Sequence, residues 1–203
     1  MISAIYKRRS IRKFTNKPVS EEDMAEIIQS GIKAPSSKNR QPWKYIVVQG
    51  GAKEDMLGAF RRGILREEHG SALLPQSRQH LVTAKHTVDI MAQAPVIVFV
   101  VNSLGKSISD AQTPEERISE ICNVQSIGAS IENMLLAATE KGIGSLWICD
   151  IFFAYEELCK WLGSKGQLIA AVAFGYPDEF PEERPRRKVG DTVEWRGQCT
   201  DGH

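Results

Sequence analysis

Apolar residues recur at helical spacing in some stretches of this chain and as continuous runs in others, and the two patterns alternate along most of its length. After a basic opening, "VSEEDMAEIIQSGIKAP" sets Met24, Ile27, Ile28 and Ile32 on one helical face. Ser20 serves as N-cap, acidic residues fill the first turn and Pro35 is the stop, which predicts a helix of about three turns. "WKYIVVQG" (43–50) is β-branched and aromatic ahead of turn glycines and reads as a strand. "AKEDMLGAFRRGILREE" follows as an amphipathic helix, apolar through Met56, Leu57, Phe60, Ile64 and Leu65. Residues 77–93 are expected to be helical on a weaker period. "APVIVFVVN" is nearly all apolar, so both its faces should be covered, which puts it in the middle of a sheet.

From Thr113, an N-cap ahead of Pro114, one pattern runs through Ile118, Ile121, Ile127, Ile131, Met134, Leu135 and Ala138 to Gly142. It predicts a core helix of about seven turns. "GSLWICD" and "QLIAAVAFG" supply two further buried strands around the short helix "AYEELCKWLG". The final stretch, "YPDEFPEERPRRKVGDTVEWRGQCTDGH", is proline-rich and charged, with little apolar period. It cannot build a core alone. Either it is disordered or it lies along another surface, with Val189, Val193 and Trp195 as its apolar anchors.

Composition narrows the function classes. A chain of 203 residues with 42% hydrophobic residues can bury one sizeable core, and one globular domain is expected. With 26 Lys+Arg against 25 Asp+Glu the formal charge is only +1, which argues against a protein that coats nucleic acid or an acidic membrane. Any anion binding must be local. Cys122, Cys149, Cys159 and Cys199 have no C-x-x-C spacing and no His-x-x-x-His accompanies them, so no zinc site is expected and buried free thiols are the reading. The opening residues lack a signal-like apolar segment, and the longest apolar run falls far short of the roughly 20 residues that span a bilayer. A cytoplasmic location is the expectation.

Four stretches carry candidate chemistry. "YKRRSIRKF" (6–14) groups Arg8, Arg9, Arg12 and Lys13 around Ser10, a set whose forked donors and hydroxyl suit a phosphate monoester, though a solvated cationic face would look the same. "APSSKNRQPW" (34–43) stacks turn formers with hydroxyl and amide groups, suited to a polar planar ligand or to a plain capped connection. "GIGSLWICD" (142–150) has two glycines that permit close approach of main chain, while Gly142 also serves as an ordinary helix cap. "ERPRRKVGDTVEW" carries a second basic cluster with Arg184, Arg186, Arg187 and Lys188. It can share an anion with the first only if the tail folds back. No G-x-G-x-x-G or Walker pattern is present.

In this order and spacing the four stretches resemble the flavin-dependent nitroreductase family. The resemblance spans almost the whole chain: "RRSIR" as an R-x-S-x-R/K opening, "PSSKNRQPW", a Gly-rich turn into a late strand, and a closing "RPR". It implies an α+β fold, an α/β/α sandwich around a mixed sheet. It also implies an intertwined homodimer with FMN bound between the subunits. Residues 1–175 would form the FMN-binding body and 176–203 a C-terminal extension packing on the partner subunit. Carried over by position, Arg8, Ser10 and Arg12 would grip the FMN phosphate and ribityl chain with Arg9 beside them, and Arg186 with Arg184 would close from the other end. Pro35, Ser36 and Ser37 would come from the other subunit, with Asn39 near the isoalloxazine edge. Trp147, Ile148 and Cys149 would pass along the ring. Arg184 stands where the family often has lysine, and a mid-chain asparagine typical of the family has no counterpart.

The activity implied is an FMN-dependent oxidoreductase. NADH or NADPH would reduce the flavin and leave, and a nitroaromatic, quinone or other electron-poor acceptor would be reduced in the same place by a ping-pong cycle. No side-chain acid or base is demanded, so no catalytic residue is assigned, and Cys149 is expected to be inert. Substrate choice should reside between about Gly58 and His86. Two rivals belong to other classes: a nucleic-acid-binding module using both basic clusters, disfavoured by neutral charge and by the lack of interleaved aromatics, and a flavin-holding protein without turnover.

Overall fold

A computed structural model describes residues 2–197. Its four strands form one sheet in the order β1-β2-β4-β3, with β1 Trp43–Gln49, β2 Val96–Asn102, β3 Gly144–Ile148 and β4 Gln167–Gly175. Every residue of β2 is buried and it lies inside the sheet, as its unbroken apolar run requires. The mixed sheet expected from the resemblance is antiparallel in every strand pair, and the parallel element is the isolated bridge between Ser10 and Ser145. No neighbouring pair is a hairpin: helices separate β1 from β2, β2 from β4 and β3 from β4 along the chain.

Helices cover both faces. The chain forms α1 Ser3–Lys7, α2 Glu21–Ile32, α3 Ala52–His69, α4 Leu81–Gln93, α5 Pro114–Glu140 and α6 Tyr155–Leu162. Alternation of side chains along the strands divides the interior into two cores. Ile97, Phe99, Val101, Ala171 and Ala173 meet Phe60, Ile64, Val88 and Leu158 of α3, α4 and α6. Val96, Val98, Val100, Val172 and Phe174 meet Ile27 of α2 and Ile127, Ile131 and Met134 of α5. The α/β/α sandwich follows directly. Where α3 crosses the turn before α6 it does so at Gly63, whose absent Cβ would stand 2.3 Å from the Cα of Ala154.

Caps match the sequence. Ser20 Oγ accepts the amide of Asp23 at 3.0 Å. Thr113 and Glu116 exchange side-chain-to-main-chain bonds at 3.2 and 3.0 Å, a complete capping box for α5. Gly142, at φ +70°, ends that helix, and Ile143 donates to Ala138 across it at 2.8 Å.

Three expectations are corrected. Ile118 and Ile121 are not in the core but 62% and 50% exposed, since they sit around the helix from the inward face that Glu120, Asn123 and Ile127 occupy. Leu65 likewise faces outward. The thiols are not uniformly buried: Cys122 and Cys159 are half-buried and Cys149, just beyond β3, is exposed. Cys199 lies outside the described residues. Among the described residues no helix is long and apolar enough to cross a membrane, and no group of three or more His, Cys, Asp or Glu could hold a metal ion.

Candidate functional site

The first and last basic segments come together because main-chain bonds zip the tail onto the opening. Thr15 donates to the carbonyl of Tyr176 and Asp178 to that of Lys13, both at 2.9 Å, and Phe14 bridges Pro177. The Glu179 carboxylate accepts the amides of Arg12 and Lys13, the second at 3.3 Å. As a result Arg8, Arg9, Ser10 and Arg12 line one cleft of about 100 Å³ with Arg184 and Arg186. Pro181, Glu182 and Glu183 complete it. Five guanidinium groups thus face two carboxylates, a strong local surplus of positive charge on a nearly neutral chain.

Several of these arginines are already oriented. Arg9 donates from Nη1 to the carbonyls of Tyr6 and Arg8 at 2.6 and 2.8 Å. Arg12 donates to the Ser10 carbonyl and Arg186 to that of Arg184, each at 3.3 Å. Arg8 faces Glu132 of α5 at 3.6 Å. Sequence reasoning missed the acidic partners, although "DEFPEE" immediately ahead of the second basic cluster was a visible signal.

The opening segment also docks on the free edge of β3. Ile11 donates to the carbonyl of Ser145 at 2.9 Å. Gly144 is obligatory for this approach, because a Cβ there would meet the Ile11 side chain at 2.8 Å. Since Ser145 turns its main-chain groups away from β4, Trp147, two residues on, turns its N–H and C=O to the same open side. Its indole is 38% exposed. The Ile148 side chain is packed in the core at 3% exposure, so only its main chain can border a ligand, a correction to its expected place along a ring. Cys149 reaches solvent, but partial burial and the neighbouring Asp150 carboxylate hold its thiol above the usual cysteine range. Asp150 in turn accepts the Thr87 hydroxyl at 2.5 Å.

Pro35, Ser36, Ser37 and Asn39 do not line the basic cleft. They follow α2 in a tight turn where Lys38, Asn39 and Gln41 have φ of 53°, 52° and 46°. Such left-handed residues outside glycine persist only when surroundings hold them. Here Ser36 Oγ accepts the Gln41 amide at 3.0 Å, Asn39 accepts from the Gln41 side chain at 3.2 Å, and Ser37 donates its amide to Ser126 of α5 at 3.3 Å. The loop is a hydrogen-bonded polar turn outside the cleft, anchored on α5 at Ser126 while Arg8 faces Glu132 of the same helix.

An open strand edge thus lies beside a phosphate-sized basic cleft, on an antiparallel sheet between two helical layers. The Nitroreductase family model matches residues 5–176, and the chain belongs to that family of oxidoreductases. It is 30% identical over 185 residues, 88% of this chain and 86% of the relative, to a protein of Archaeoglobus fulgidus provisionally named NADH dehydrogenase/NAD(P)H nitroreductase. It is 28% identical over 187 residues to the 5,6-dimethylbenzimidazole synthase of Rhodospirillum rubrum, covering 85% of this chain and 79% of that one. Among solved structures, a provisionally named nitroreductase from Desulfovibrio desulfuricans in complex with FMN aligns with a TM-score of 0.71 and 25% identity, over 97% of this chain and 96% of that one.

Proposed function

We propose that the protein is an FMN-dependent oxidoreductase that takes electrons from NADH or NADPH and delivers them to nitroaromatics, quinones or similarly electron-poor acceptors. The observation that carries this reading is the meeting of Arg8, Arg9, Ser10 and Arg12 with Arg184 and Arg186 around one small cleft. A phosphate monoester matches it: a compact dianion whose oxygens take charge-assisted bonds from several guanidinium forks at once. The FMN complex of the Desulfovibrio relative supports the choice of flavin. A longer polyanion would instead need an extended basic track, which a net charge of +1 does not provide.

In this reading Arg8, Arg12 and Arg186 hold the phosphate, Ser10 and Arg9 flank the ribityl chain, and Arg184 completes the charge. The outward main-chain groups of Trp147, with the main chain of Ile148 and the exposed Cys149, border the ring. Pro35, Ser36, Ser37 and Asn39 reach it from a second copy of the chain, which is why they stand apart from the cleft within one protomer. When bound, FMN would supply the hydride and electron chemistry of a ping-pong cycle. The chain's residues orient it, keep one face open and need contribute no side-chain acid or base.

The homodimer is supported by apolar surface that a lone protomer leaves in water. Phe180 is 92% exposed, Val189 68% and Trp195 83%, all in the extension 176–203, whose first residues are zipped to their own opening and whose remaining apolar surface packs on the partner in this proposal. The test is anaerobic reduction of the purified protein by NADH or NADPH, followed by reoxidation with nitroaromatics and quinones. Loss and return of the visible flavin absorbance is the expected result. A colourless protein that takes up no added FMN overturns the proposal.

A further inference from the structure

Carboxylates of the tail accompany the basic cleft, Glu179 beside it and Glu183 within it, and the two are held in different ways. Glu179 sits on consecutive main-chain amides of Arg12 and Lys13, within the zipper that joins tail to opening. Glu183 instead faces Arg9 Nη2 at 3.5 Å, beyond good hydrogen-bond length, with the two side chains 26% and 59% exposed. Arg9 does not need that partner for its position, because its Nη1 is bound to two main-chain carbonyls. Its other edge is free to trade one anion for another.

We infer that Glu183 is a displaceable counter-ion that occupies the Arg9 edge of the cleft until the cofactor phosphate replaces it, while Glu179 stays in place. The inference rests on the FMN reading above. Five clustered guanidinium groups repel one another, and a carboxylate among them lets the tail lie over the opening before any ligand arrives. The site is therefore assembled in advance. A phosphate, with more charge and more acceptor oxygens than one carboxylate, wins the exchange. The half-exposed Glu183 loses little on returning to water. Assembly in advance thus costs some cofactor affinity.

The test titrates the full-length protein, stripped of flavin, with FMN and with riboflavin, which lacks the phosphate, following flavin fluorescence. Glu183→Gln is expected to tighten FMN binding by about two- to fivefold at low ionic strength, with the gain shrinking as salt is added. Riboflavin affinity should not change. Glu179→Gln should weaken FMN binding, because it loosens the zipper. Unchanged or weaker FMN binding by Glu183→Gln, or a riboflavin gain equal to the FMN gain, overturns the inference while a flavin-binding wild type leaves the functional reading standing. A wild-type protein that takes up no FMN overturns both.

Discussion

The apolar residues in the two halves of α5 have opposite fates. Ile127, Ile131, Met134 and Ala138 are fully buried against β2 and β4, and Met134 lies so close under α2 that a Cβ on Gly31 would stand 2.7 Å from its Cγ. Ile118, Ile121 and Val124, one to three turns earlier, are 62%, 50% and 39% exposed. Ile121 and Val124 border a cleft of about 490 Å³ with Ile108 and Asp110. Periodicity reports that a helix has an apolar face, not what lies opposite it. The late residues face the sheet of their own chain; Ile118 and Ile121 lie around the helix from that face, whose inward positions in the early half are taken by Glu120, bonded to Gln167 of β4, and buried Asn123.

The comparison can be broken first at its strongest point. Met134→Ala should cost about 2–5 kcal/mol of folding stability by chemical denaturation, the sum of lost burial and a cavity. A loss under about 1 kcal/mol would mean that this half is not the packed one. Next, Arg8→Ala should weaken FMN binding by about 1.5–3 kcal/mol in a flavin titration, the value of a charged hydrogen bond, with little change in folding stability because its Glu132 pair is long and partly exposed. Identical titration curves would remove Arg8 from the phosphate site.

Smaller effects sharpen the contrast. Thr113→Ala should cost about 0.5–2 kcal/mol by removing half of the capping box that starts the exposed stretch of α5. Ile121→Ser should change protomer stability by less than about 0.5 kcal/mol. In sedimentation it should weaken self-association if a second copy covers this face. A stability loss as large as that of Met134→Ala, without any change in association, would erase the distinction between the halves. Smallest is Cys149: its thiol should react slowly with iodoacetamide at neutral pH, and faster as pH rises past the ordinary cysteine range, since partial burial and Asp150 disfavour the thiolate. Rapid labelling at pH 7 would contradict that environment.

Legibility followed the range of each interaction. The caps of α2 and α5 were readable because Ser20 with Asp23, and Thr113 with Glu116, act within one turn. The central place of β2 was readable because an all-apolar strand is tolerable only with both faces covered. By contrast α1 has five residues, no side-chain cap and no apolar period long enough to see. The carboxylates that accompany the candidate site were not legible, because they are brought in from far away: the Arg12 amide meets Glu179 across 167 residues of sequence. In "WIC" strand alternation sets the middle side chain opposite its neighbours, but which of the two sides is the core was decided by the helices packed on the sheet.

Local chemistry alone decided where helices start, which strand lies inside and which residue types were available for an anion, because a cap or a covered face depends on neighbours a few positions away. Tertiary structure alone decided how the two basic segments are joined, which carboxylates accompany them and which apolar residues of α5 stay open. Those outcomes depend on closing very long loops, and their stability comes from main-chain bonds between the opening and the tail that no local pattern encodes.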